Sequence, residues 1–163
     1  MKRRILTLKE NDKAVLNLPL KLLITIILIS CIIPTSLIGY KNLERSRFEI
    51  EVKNQIKDML NLAVQLNKEG NGSSTVFTLN LQGGTFSKLD YINIGGPVGE
   101  EDYLIKYKFS WKNTQNYYIS DNPTIHMTSI NNESLTLGKG IYDIKLTNVY
   151  ERKVSYIVFS IIN

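Results

Sequence analysis

The hydrophobic pattern changes character three times along the chain. Residues Leu22 to Tyr40, LLITIILISCIIPTSLIGY, form a 19-residue run without a charge. At about 1.5 Å per residue a helix of this length covers roughly 28 Å, the thickness of the hydrocarbon layer of a bilayer. A core helix of a soluble protein normally carries a polar face, and this run has only the hydroxyls of Thr25, Ser30, Thr35 and Ser36, which can bond back to the helix. Pro34 removes one hydrogen bond and predicts a bend. Beyond Gly39 the spacing becomes amphipathic. Phe48, Val52, Ile56, Met59, Ala63 and Leu66 recur at intervals of three and four, the period of one helix face. Glycines at Gly70 and Gly72 predict its stop. Residues 22–68 therefore read as one long helix. Its apolar stripe is expected to pack on the protein's own head, against neighbouring stems, or both at different heights.

From Thr75 onward the period falls to two. Phe77, Leu79 and Leu81 alternate with polar residues, and Gly83-Gly84 turns the chain. A second strand is expected over 86–94, ending at Gly95-Gly96-Pro97. Tyr103, Ile105, Tyr107, Phe109 and Trp111 put five large apolar side chains on one strand face, all assigned to the core. Weaker strands are expected over 117–120 and 124–130 around Asp121-Asn122-Pro123. Leu135–Leu137, Tyr142-Ile144-Leu146 and Val154–Ile162 complete the set, the last apolar on both faces and hence central. The predicted class is α+β: a long N-terminal transmembrane and amphipathic helix followed by a small antiparallel β-sandwich head. The expected divisions are a basic cytoplasmic leader over 1–21, a transmembrane helix over 22–40, a stem helix over 41–70 and the head over 71–163.

Charge sharpens the membrane reading. Six Lys and Arg residues and two acids lie within residues 1–21, whereas the other 142 residues hold 14 basic and 13 acidic side chains. The head is nearly neutral and offers no footprint for a nucleic-acid backbone. Positive charge before an apolar span holds that end in the cytoplasm, so the C-terminal domain is expected outside the cell, on a single-pass membrane protein. The one cysteine, Cys31, lies in the apolar run, so no intramolecular disulfide can form. Asn71-Gly72-Ser73 and Asn132-Glu133-Ser134 are glycosylation sequons in expected turns, making Asn71 and Asn132 candidate acceptors.

The junction Asp12-Lys13-Ala14-Val15, a charged residue, then a small one, then an apolar helix, resembles the class III signal of archaeal type IV pilin-like and archaellum-related proteins. The resemblance covers about the first 40 residues, and the order of apolar helix, amphipathic helix and β head extends it. It implies that a prepilin peptidase cuts after Ala14, making Lys13, Ala14 and Val15 the processing site, and that the helix stays in the mature protein to pack with other pilin-like subunits in a filament core. Three other readings of the same segment stand beside it. An uncut signal-anchor accounts for Lys21 as the last cytoplasmic charge before the span, and Pro19 interrupts the start of the helix that the resemblance implies. A secretory signal peptide would need a better small-residue site than Thr35-Ser36-Leu37 or Leu37-Ile38-Gly39. Leu28-Ile29-Ser30-Cys31 resembles a lipoprotein box, but Ile32-Ile33 continue the apolar run.

No catalytic, cofactor or metal constellation rises above background, and an enzyme is not expected. His126 is the only histidine, so no second one is available for a metal set, and it reads as a half-exposed strand residue. Glu100-Glu101-Asp102 reads as a solvated turn rather than a calcium site. Gly95-Gly96-Pro97-Val98-Gly99 lacks the Lys-Ser/Thr of a phosphate loop. Two functions are therefore expected. The first is a non-enzymatic pilin-like subunit, minor rather than major, of an archaeal type IV filament or its assembly machinery. The alternative is an uncleaved, signal-anchored surface β-domain that binds a protein or glycan partner. Neither involves a nucleic acid or a cofactor.

Overall fold

The computed structural model describes residues 8–114, 116–119, 124–151 and 154–162; for 8–18 and 116–119 it describes the backbone alone. The chain forms one long helix followed by eight strands among the described residues: α1 (Leu8–Glu69), β1 (Ser74–Asn80), β2 (Leu89–Ile94), β3 (Leu104–Phe109), β4 (Asn116–Ile119), β5 (His126–Ser129), β6 (Leu135–Leu137), β7 (Ile141–Glu151) and β8 (Val154–Ile161). It divides into two compact units after Leu43. The described part of the first unit, from Leu8 on, is helix. The second begins at Glu44 and contains the rest of α1 together with all eight strands.

The strands form two four-stranded sheets, in the orders β1-β7-β8-β5 and β4-β3-β2-β6. The class is α+β with mostly antiparallel pairing. One pair departs from the expected all-antiparallel head: β5 runs parallel to β8, with His126 opposite Tyr156 and Thr128 opposite Val158. The connection from β5 back to β8 passes through β6 in the other sheet and then β7, and a crossover of that length permits parallel pairing. The expected strand over 86–94 is shorter, because Phe86 and Ser87 are held by a side chain of α1 instead of a ladder. The turn around Asp121-Asn122-Pro123 lies outside the described residues. β8 is central, paired on both edges, as its two apolar faces predict.

The core answers most of the periodic reading. Phe48, Val52, Ile56, Met59, Ala63 and Leu66 are all buried, with Leu60 beside them, and form one cluster with Leu79 of β1, Leu81 just after it, Ile92 and Ile94 of β2, Ile144 and Leu146 of β7, and Phe159 of β8. The stripe thus packs inside its own head unit. Full burial of a side chain of this size contributes about 1.5–3 kcal/mol. The aromatic row divides. Ile105, Tyr107 and Phe109 are buried, but Tyr103 lies just before β3 and is exposed, and Trp111 lies just after it and is half-buried. Phe109 stacks on Trp111, with ring centres 4.8 Å apart, and Phe48 meets Phe109 edge-on at 6.0 Å.

The end of α1 is built from several parts. Gly70 adopts φ +99°, which favours glycine, and its N–H bonds the Leu66 carbonyl at 3.2 Å, closing the helix in a left-handed cap. The same carbonyl accepts from Ser73 Oγ at 2.9 Å and from Nδ2 of the buried Asn148 at 3.0 Å. Asn148 belongs to β7, so a strand side chain seals the helix terminus.

Candidate functional site: an exposed apolar helix and the surfaces of its head

In the first unit, the apolar segment is exposed on every side. Its large side chains from Leu20 to Leu43 remain about half open to solvent, from 48% for Ile24 to 60% for Ile38. The helix is long and apolar enough to cross a membrane. Three of its hydroxyls bond back to the helix. Thr25 Oγ1 donates to the Lys21 carbonyl at 2.8 Å, Ser30 Oγ to Ile27 at 2.7 Å and Thr35 Oγ1 to Cys31 at 2.9 Å. An apolar patch this continuous is stable only in lipid or against other apolar surface. Pro19 and Pro34 both lie inside the helix. Lys13, Ala14 and Val15 are in helical backbone, and their side chains lie outside the described residues.

In the second unit, the first helical turns carry a polar collar. Glu44 Oε1 accepts from the Phe86 N–H at 2.9 Å and from Ser87 Oγ at 2.9 Å. The Phe86 bond holds the Glu44 carboxyl below its ordinary range against some desolvation, with Ser87 and the Arg45 charge adding to it. Arg45 lies over the Trp111 ring at 5.3 Å and donates from Nε to the Phe86 carbonyl at 3.0 Å. Glu49 pairs with Lys53 at 2.8 Å and with Lys112 at 2.7 Å. Burial pushes the Glu49 carboxyl up, but the hydrogen bonds and charges of Lys112 and Lys53 together outweigh it and hold it low. A Cβ on Gly84 would sit 2.1 Å from Glu44 Oε1, so a larger residue there displaces this carboxylate from the collar. The collar locks the loop over residues 82–88 and the end of β3 to α1.

At another place on the head, the loop from Gly95 to Asp102 clamps strand β5. Gly96 N–H donates to the Met127 carbonyl at 3.1 Å, and Met127 N–H donates to Asp102 O at 2.6 Å. The Asp102 side chain is buried, a correction to the reading of Glu100-Glu101-Asp102 as wholly solvated. Its Oδ1 lies 3.0 Å from His126 Nδ1, and its Oδ2 accepts from Gly99 N–H at 2.9 Å. His126 is half-exposed, as its strand pattern predicts, and has an aspartate partner that sequence spacing does not disclose. No group of three metal-ligating side chains occurs among the described residues. The dyad fixes the loop on the strand edge.

On the outer face of the β1-β7-β8-β5 sheet lies a cleft of about 270 Å3, floored by Thr128, Val149, Tyr156 and Val158 and walled by Val98, Ile130, Asn132 and Glu151. Both sequon asparagines are exposed and structured. Asn71 Oδ1 accepts from Tyr150 N–H at 2.9 Å, and Asn132 Oδ1 accepts from Val98 N–H at 3.0 Å. No family model, curated protein or solved structure matches the chain.

Proposed function

We propose that this chain is a pilin-like subunit, minor rather than major, of an archaeal type IV filament or its assembly machinery. The observation that carries the reading is the division of labour along one helix. The part of α1 beyond Glu44 is consumed as the core of the head, whereas the large apolar side chains between Leu20 and Leu43 stay open. A filament subunit needs that arrangement: a head complete in itself, and an apolar helix left over for lipid before assembly and for other helices after it. The Lys13-Ala14-Val15 junction supports peptidase processing in front of that helix. The head reads most simply as a sandwich of the two sheets, since both send side chains into one cluster with α1. Partners are a membrane crossed once, a prepilin peptidase and other pilin-like subunits, with the head outside the cell.

The test is assembly. Filaments sheared from the surface of the native cell are expected to contain the chain. Its confinement to membranes, with sheared material free of it, removes the filament reading and leaves the anchored β-domain.

A further inference from the structure

The cleft on the outer face of the β1-β7-β8-β5 sheet plays no part in packing the head or presenting the helix. Strand register fixes its floor. His126, Tyr156 and Val149 form one cross-strand row, and Thr128, Val158 and Thr147 the next. Met127, Ile157 and Phe159 point the other way, into the core. The Val98 loop and the turn from Ile130 to Asn132 rise over β5 and convert an otherwise flat sheet face into a concavity.

Two features mark it as a place for a ligand. The first is Thr128. It is 6% exposed, and its Oγ1 is closed to solvent with no hydrogen-bond partner among the described residues. A buried hydroxyl left unpaired costs about 1–3 kcal/mol, and buried polar groups are otherwise almost always satisfied. The second is the mixture of surfaces. The Tyr156 ring with Val149 and Val158 makes an apolar floor. Around it stand the Glu151 carboxylate and the Asn132 amide, whose Oδ1 is already taken by Val98, leaving the NH2 to donate. The volume is slightly under the roughly 300 Å3 at which drug-sized pockets begin, so the occupant is one small ring.

We infer that this cleft binds a single neutral saccharide unit. A pyranose has an apolar C–H face for an aromatic and aliphatic floor and a rim of hydroxyls that both donate and accept. Glu151 accepts from such hydroxyls and Asn132 donates to them, and a rotation of Thr128 about χ1 turns its hydroxyl, closed to solvent in the free protein, into the cleft to gain the partner it lacks. An anionic ligand is disfavoured by Glu151, and a purely apolar one leaves Thr128 and Glu151 unserved. The inference is independent of filament assembly. The same chemistry can be supplied from outside or by a sugar carried on Asn132 itself, whose side chain lines the cleft.

The experiment uses the full chain, made without glycosylation and held in phosphocholine micelles free of sugar headgroups. Methyl glycosides of glucose, galactose, mannose and N-acetylglucosamine are titrated at millimolar concentration, with saturation-transfer NMR as the readout. At least one is expected to bind. Thr128→Val is expected to weaken that binding about fivefold, the loss of one good hydrogen bond, while its unfolding midpoint stays equal or rises because an unpaired buried hydroxyl has gone. If Thr128→Val does not fold, Glu151→Gln serves as the second variant, with weaker binding expected. Peptide mass analysis of the native chain separates the sources. A bare Asn132 assigns the cleft to an external glycan, and a hexose-bearing Asn132 assigns it to the chain's own sugar. Failure of all four glycosides on the bare chain overturns the inference, as does a folded Thr128→Val or Glu151→Gln variant that binds them unchanged.

Discussion

Asn148 joins the helix to the sheets, and removing it should cost more than any surface polar residue. Its side chain is 1% exposed. Nδ2 donates to the Leu66 carbonyl, and Oδ1 accepts from the Ser155 hydroxyl. Asn148→Ala deletes both bonds, at about 1 kcal/mol each, and leaves a small cavity. The Leu66 carbonyl keeps Gly70 N–H and Ser73 Oγ, and Ser155 is only part-buried, so no full desolvation penalty is added. The sum is about 2–3 kcal/mol, a large share of the stability of a small domain. Asn148→Asp gives a sharper signature. A buried carboxylate facing a carbonyl oxygen costs roughly 3–5 kcal/mol, but the protonated acid can donate to Leu66 in place of the amide. Its folded pKa is thus raised, so stability is retained below the usual carboxylate range near 4 and lost as pH rises through the folded value. The assay is denaturant unfolding of the full chain in micelles, followed by the fluorescence of Trp111, the only tryptophan. An Asn148→Ala midpoint equal to wild type, or an Asn148→Asp variant without pH dependence, would refute the role of Asn148 as the seal of α1.

Three further outcomes follow from the same contacts. Gly95→Ala should destabilise by at least about 2 kcal/mol, because Gly95 has φ +64° and a Cβ there would lie 2.1 Å from the Met127 carbonyl; a thermal midpoint matching wild type counts against the clamp on β5. The lowered carboxyls of Glu44 and Glu49 stabilise the fold above their unfolded pKa, and that contribution is lost as pH falls through their lower folded values. Glu44→Gln with Glu49→Gln should therefore flatten the acid limb of a stability–pH curve, and an unchanged limb contradicts the collar. A fragment from Glu44 to Asn163 should be soluble and rich in β-structure by circular dichroism, and Trp111→Ala in it should cost about 1–3 kcal/mol, less than a fully buried aromatic. A disordered spectrum denies that the second unit folds by itself.

Helical and strand periodicity made the interior legible, because burial selects by face. The stripe from Phe48 to Leu66 and the row Ile105-Tyr107-Phe109 could be read directly. Tyr103 and Trp111 followed the same alternation but lie beyond the ends of β3, where a pattern outruns the paired ladder. The parallel pairing of β5 with β8 was not legible, since strand order depends on contacts between distant segments. For the same reason Asp102 looked like a turn acid among acids, and Asn148 carried no signal that sets it apart. Each is buried because its partner, His126 or Leu66, comes from elsewhere in the chain. The outer-face cleft had no sequence signal beyond Tyr156 and the sequon at Asn132, because two loops make its walls.

The central claim is that α1 is retained, after cleavage of its leader, as the assembly helix of a pilin-like subunit. The most direct measurement is the intact mass and N-terminal sequence of the protein isolated from its native membrane or filament. A mature chain that begins at Val15 and still contains residues 22–40 is expected. A chain beginning at Met1 contradicts the processing, and one beginning beyond Tyr40 contradicts retention of the helix.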